Sequence, residues 1–242
     1  MEIAFEPLGD PNTLSPAKDG GVAKNRVYSE IRDFISQKNY PCIAALKALQ
    51  RKEIRLGVYH DFGAGESWMP LRDDLFGFLQ EQKKSASEYL TFWAVFEGEA
   101  EFSENEFEEA LWRELSSLTS TEDKNSDWGA NNSDPEKSEF TFCLFGEAFF
   151  VVGLHSGSSR PGRRFSRPSL VFNIFQQFEA IEQKGLYESM VRTNRERDLK
   201  FSGTVNPIVK KYGDKWEAIQ FSGKDNPEQW ECPFHFKQKS EK

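Results

Sequence analysis

The apolar positions of this chain fall into short runs whose spacing switches between helical and extended. Val27, Ile31, Phe34 and Ile35 recur every three or four residues, which predicts a helix from Asn25 to about Lys38. Tyr40-Pro41-Cys42 breaks that pattern, and Ala44 to Leu49 predicts a short second helix. Arg55 to His60 reads as a strand running into a glycine-rich loop, Asp61 to Gly65. Leu71, Leu75, Phe78 and Leu79 share one face of a helix over Pro70 to Gln82, with proline where a first turn tolerates it. Tyr89 to Phe96 predicts a buried strand, stopped by Glu97-Gly98. Ser103-Glu104-Asn105-Glu106 is a helix start, and Phe107, Leu111, Trp112 and Leu115 supply its apolar stripe.

Thr119 to Glu139 is polar and predicts a long, mobile loop. Phe140 to Phe145 and Ala148 to Leu154 follow as strands around Gly146-Glu147, and Leu170 to Phe172 as a third. Two helices, Phe175 to Lys184 and Leu186 to Asp198, are separated by Gly185. The tail beyond Gly203 lacks periodicity, but Trp216, Phe221, Trp230 and Phe234 imply that it packs on the body. Met1 to Ala23 reads as an irregular lead-in to a single domain over residues 24–238. Helices and short strands mix without regular βαβ alternation, so the expected class is α+β, a mixed, mainly antiparallel sheet flanked by helices.

Composition narrows the function classes. With 38% apolar residues, 22 Phe and 6 Trp in 242 residues, the chain can build a sizeable core. A net charge of −8 argues against binding nucleic acid through phosphates. Cys42, Cys143 and Cys232 form no CxxC motif, and no apolar run marks a signal or a membrane span. The expected setting is cytoplasmic, with reduced thiols and no membrane. Dinucleotide, P-loop, zincin and nucleophile-elbow signatures are absent. A zinc site would need His60, His155 and His235 to converge, with Cys42 and Cys232, and nothing in their spacing supports it.

Candidate chemistry concentrates between Ala148 and Asn173. Two apolar segments flank a loop holding Arg160, Arg163, Arg164 and Arg167, with Phe165 among them and no acid between the first and last arginine. His155 ends the first segment. The plain reading is a histidine capping a strand end, with arginines solvated or paired to the surplus acids. The functional reading is a haem site: the imidazole on iron, apolar strands facing the porphyrin, and guanidiniums forked onto the propionates. A phosphate-bearing ligand would use the arginines without needing the histidine.

The run Glu147 to His155, followed by Ser159-Arg160-Pro161-Gly162-Arg163-Arg164-Phe165, resembles the signature of the YqcI/YcgG family. Tyr40-Pro41-Cys42, Leu170 to Asn173, Gln177-Phe178-Glu179, Arg197-Asp198, Asn206-Pro207 and Trp230 to Phe234 extend the resemblance from about Asn25 to Phe234. The family pattern has Pro after the histidine and Ala before the paired arginines, where this chain has Ser156 and Gly162. Both changes are expected to loosen the loop.

Members of that family with assigned roles are haem-dependent N-hydroxylases of guanidino groups. The resemblance therefore implies haem b, O2 as co-substrate, an external electron donor and a guanidine- or amine-bearing small molecule such as arginine. His155, Arg160, Arg163, Arg164, Phe165 and Arg167 would hold the cofactor, with His155 on iron and His60 as the alternative ligand. Thiolate ligation by Cys42 is a further option, although that residue reads more easily as a packed thiol, and His235 ranks last. A cationic substrate calls for a carboxylate, and Glu147, Glu97 and Asp61 are the candidates, each at a strand end. Two rival readings stay open: a haem carrier or sensor without turnover, and a non-haem protein binding an anion on its arginine loop. A homodimer is compatible with the sequence.

Overall fold

The computed structural model describes residues 20–65, 67–85, 87–98, 101–119, 127–129, 131–137, 140–205, 217–227 and 229–236. Among the described residues, six helices and a five-stranded mixed sheet make a single α+β domain, as the sequence predicts. The helices are α1 (Gly20–Ile35), α2 (Ile43–Gln50), α3 (Trp68–Lys84), α4 (Glu104–Ser117), α5 (Phe175–Gln183) and α6 (Tyr187–Ser202). The strands are β1 (Ile54–Tyr59), β2 (Thr91–Phe96), β3 (Phe142–Leu144), β4 (Glu147–Leu154) and β5 (Ser169–Ile174).

The sheet order is β1-β2-β5-β4-β3. β1 and β2 pair in parallel, because α3 carries the chain back between them. The β2–β5, β5–β4 and β4–β3 pairings are antiparallel. This single βαβ unit breaks the alternation-free order expected from the sequence and makes the sheet more mixed than anticipated.

Alternation along the strands sorts the core into two layers. Phe92, Ala94, Phe96, Phe149, Val151, Leu170 and Phe172 face α3 and α4. Trp93, Val95, Leu154 and Val171 face α1 and α2. Helix α4 begins with a complete capping box, Ser103 and Glu106 each satisfying the other's backbone N–H. Phe107, Leu111, Trp112 and Leu115 are buried as their spacing predicts.

Several boundaries move. Helix α1 starts at Gly20, inside the expected lead-in, and stops at Ile35 rather than Lys38. Helix α6 continues to Ser202 and closes on Gly203 in the left-handed conformation. The expected lead-in over residues 1–19, the Asn206-Pro207 pair and Trp216 lie outside the described residues. The polar stretch Thr119 to Glu139 holds a fixed point where it is described. There, Asp127 and Trp128 are buried. Asp127 pairs with Arg72 at 2.9 Å and accepts from the Phe145 backbone N–H at 3.1 Å. It thereby holds the two-residue β3–β4 turn, in which Phe145 and Gly146 both have positive φ. The tail packs on the body, with Phe221 and Phe234 fully buried.

Candidate functional site

A cleft of about 290 Å³ lies between the sheet and the helices α2, α5 and α6. Its floor is built from three strands in register. Thr91, Asn173 and Phe150 form one row, and Trp93, Val171 and Val152 form the next, two residues further on. Leu154 follows toward the arginine loop. The walls are apolar: Ala44, Ala45 and Ala48 from α2, Phe178 and Ile181 from α5, Met190 and Val191 from α6.

At the Leu154 end the lining turns polar. Cys42 caps the N-terminus of α2, its Sγ accepting from the Ala45 N–H at 3.4 Å. Burial pushes its thiol above the ordinary value, opposed by the N–H groups of Ala45 and Ala44 and by the Arg163 charge. Arg163 donates to the carbonyls of Gly153 at 3.0 Å, Phe221 at 3.2 Å and Gln220 at 3.2 Å. Burial lowers its pKa to about 10. Arg160 pairs with Asp198 at 2.8 Å. Asn194 of α6 accepts the Ile43 N–H at 2.9 Å, and Arg197 donates to the Tyr40 carbonyl at 2.7 Å. Helix α6 thus pins the Tyr40-Pro41-Cys42 turn from one side. The arginine loop presses on it from the other, because a Cβ on Gly162 would lie 2.7 Å from Pro41 Cγ. Glycine there makes close packing possible, which is the opposite of the loosening expected at this position.

The structure divides the residues singled out in the sequence. Arg160 and Arg163 line the cleft. Arg164 turns away, donating to the carbonyls of Ser158 at 2.8 Å and Ser159 at 3.2 Å. Arg167 pairs with Glu30 at 2.7 Å and approaches Glu97 at 4.0 Å. Phe165 is buried between Phe34 and Trp93 under the loop.

His155 does not line the cleft. Its ring stacks on Phe107, centroids 4.2 Å apart and planes within 13°, on the α4 face of the sheet. It is 2% exposed, and its Nδ1 has no hydrogen-bond partner. Burial depresses its pKa, the Phe102 backbone and Glu104 pull it upward, and Arg163 lowers it further. His60 is exposed beyond β1, and exposed His235 donates its N–H to Ser116 at 3.1 Å. Among the described residues, no three His, Cys, Asp or Glu side chains gather as a metal site.

The expected carboxylates stand apart too. Glu147 pairs with Lys83 at 3.5 Å and accepts from Gln176 at 2.9 Å. Glu97 lies beside Arg167, and Asp61 is exposed in its turn. The carboxylates that do line the cleft are Glu88, Asp198 and Glu217. The signal for several cleft residues was present in the sequence. Tyr40-Pro41-Cys42, Asn173, Gln177-Phe178 and Asp198 all belong to the motifs of the resemblance, and all converge here.

Fold and cleft together define a single-sheet α+β protein with a largely apolar cleft lined by one thiol and three guanidiniums, those of Arg160, Arg163 and Arg195. Residues 31–235 match the YqcI/YcgG family, and the chain belongs to that family. The uncharacterized protein YcgG of Bacillus subtilis (strain 168) is 25% identical over 207 residues, covering 81% of each chain. No solved structure matches. Among the described residues, no helix is long and apolar enough to cross a membrane.

Proposed function

We propose that the protein is a haem-dependent N-hydroxylase of a guanidine- or amine-bearing small molecule, with Cys42 rather than a histidine as the ligand to iron. One observation carries the choice of ligand. Of Cys42, Cys143, Cys232, His60, His155 and His235, only Cys42 lines the cleft. The donor set fits the cofactor chemically. A thiol at a helix N-terminus is a soft ligand whose neighbouring N–H groups offset part of the burial that raises its pKa. Arg160 and Arg163 are cationic anchors for propionates, and the apolar walls suit a porphyrin face.

When bound, haem would supply dioxygen activation, using two electrons from a separate donor. Overall, one oxygen atom joins a substrate N–H to give N–OH, and the other leaves as water with two protons. The chain's own contribution is placement and shielding. Trp93, Val152, Val171 and Phe178 exclude water from the reacting centre. Asp198 fixes the Arg160 guanidinium, and three carbonyls fix that of Arg163. Three free thiols support a reducing, cytoplasmic setting.

The test is an absorption spectrum of protein produced with a haem precursor, reduced and exposed to carbon monoxide. The expected result is a Soret band whose CO adduct lies at the long-wavelength position of thiolate ligation. Cys42→Ser should lose that position and His155→Ala should keep it. A wild-type protein without a Soret band would remove the hydroxylase reading.

A further inference from the structure

Charged side chains line both ends of the cleft along β4, and Arg195 of α6 lines it as well. Arg160 and Arg163 stand at its Leu154 end, and so do two of its three carboxylates. Asp198 is held there by Arg160, and Glu217 opens the short turn whose Gln220 carbonyl binds Arg163. Glu88 alone stands at the other end, three residues before Thr91 and beyond the row that contains Phe150. Leu154 and Phe150 are four residues apart on one strand, which separates the two ends by roughly 13 Å.

Glu88 is well placed but weakly held. Its side chain is 15% exposed, while those of its partners Lys184 and Arg51 are 55% and 48% exposed. Ion pairs with long, solvated side chains contribute little and exchange readily. The neighbourhood already accepts a guanidinium, since Arg51 lies over the Tyr89 ring at 4.7 Å and 3.9 Å from Glu88.

Glu88 and Gln177 also line a second cavity, of about 370 Å³, between α3 and α5. That cavity is rich in acceptors. Glu147 lines it, as does Gln82, whose buried Oε1 has no hydrogen-bond partner. A buried acceptor without a donor costs free energy that a donor-bearing ligand recovers.

We propose that Glu88 anchors the guanidinium group of the molecule bound in the cleft, and that the second cavity receives the part of it extending past Gln177. This deepens the hydroxylase reading and rests on it for the chemistry, though not for the binding.

The experiment is isothermal titration of the full chain with arginine, agmatine and the neutral analogue citrulline. Wild type is expected to bind arginine and agmatine at least tenfold more tightly than citrulline. Glu88→Gln should erase that preference, and Glu88→Asp should keep part of it. Lys184→Met, which removes the competing ammonium without touching the anchor, should tighten arginine binding severalfold. Equal affinity for arginine and citrulline in wild type, retained preference in Glu88→Gln, or no heat with any of the three overturns the assignment. Spectra of the same samples with hemin separate the two ideas. Charge-selective binding without a Soret band keeps Glu88 and removes the hydroxylase, whereas a haem protein without charge selectivity removes Glu88 alone.

Discussion

Gly162 shows how much a single missing side chain can position. Its Cα faces the Pro41 ring so closely that a methyl group would force the ring to shift, and proline has no rotamer into which to escape. Gly162→Ala introduces the residue of the family pattern, yet in this chain it is expected to cost about 1–2 kcal/mol and to lower Tm by about 2–8 °C. Thermal denaturation checks this. His155 makes a different prediction. Its folded pKa is depressed, so below about 6.5 the unfolded chain binds more protons than the native one. Its contribution is full above that pH and is lost as pH falls through the folded value. The groups facing it are Phe107, the Phe102 backbone, Glu104 and Arg163. His155→Asn should therefore flatten the loss of stability as pH falls below about 6.5, read from urea midpoints at successive pH values.

At the scale of elements, much was legible and sidedness was not. The period of the apolar residues locates the five strands and six helices of the described residues, because burial dictates those periods locally. Which sheet face carries the cleft is a tertiary outcome. Parity along β4 does contain part of the answer. Phe149, Val151 and Gly153 point to α4, and His155 continues their series, whereas Phe150, Val152 and Leu154 point to the cleft. The arginine-rich neighbourhood drew attention to the histidine, although its alternation places it behind the sheet. The parallel β1–β2 pair was equally hidden, since a helix between two strands fits either orientation until neighbours are assigned.

In the C-terminal segment, the packing of Phe221 and Phe234 is joined by a polar anchor on one side chain. Buried Glu108 accepts from Ser222 at 2.9 Å, Lys224 at 2.9 Å and Asn226 at 2.6 Å, and that segment supplies two of the three carbonyls that fix Arg163. Glu108→Ala strands these donors and is expected to cost about 2–4 kcal/mol. Urea unfolding measures that cost. Faster proteolysis within residues 217–236 would locate it.

For the whole molecule, the proposed cofactor should act as a stabilising ligand. Hemin at about a hundred times its Kd would add about 2.7 kcal/mol to the native state, which in a chain of this size raises Tm by roughly 5–10 °C. Wild type should show that rise in a calorimetric scan. Cys42→Ser should show a smaller one, and His155→Ala the full shift measured from its own apo Tm.

The strand order has one more consequence, for the time course of folding. β1, α3 and β2 are neighbours in sequence, and so are β3, β4 and β5. Within the sheet these two blocks pair only where β2 lies against β5, a seam at which Thr91 reaches a carbonyl 81 residues away. Closing so long a loop is slow compared with forming either block. The cleft floor straddles that seam, with Thr91 and Trp93 on one side and Val171, Asn173 and Val152 on the other. During refolding, far-UV ellipticity should therefore return before ligand binding does, because the binding surface has no existence until the two halves of the sheet have joined.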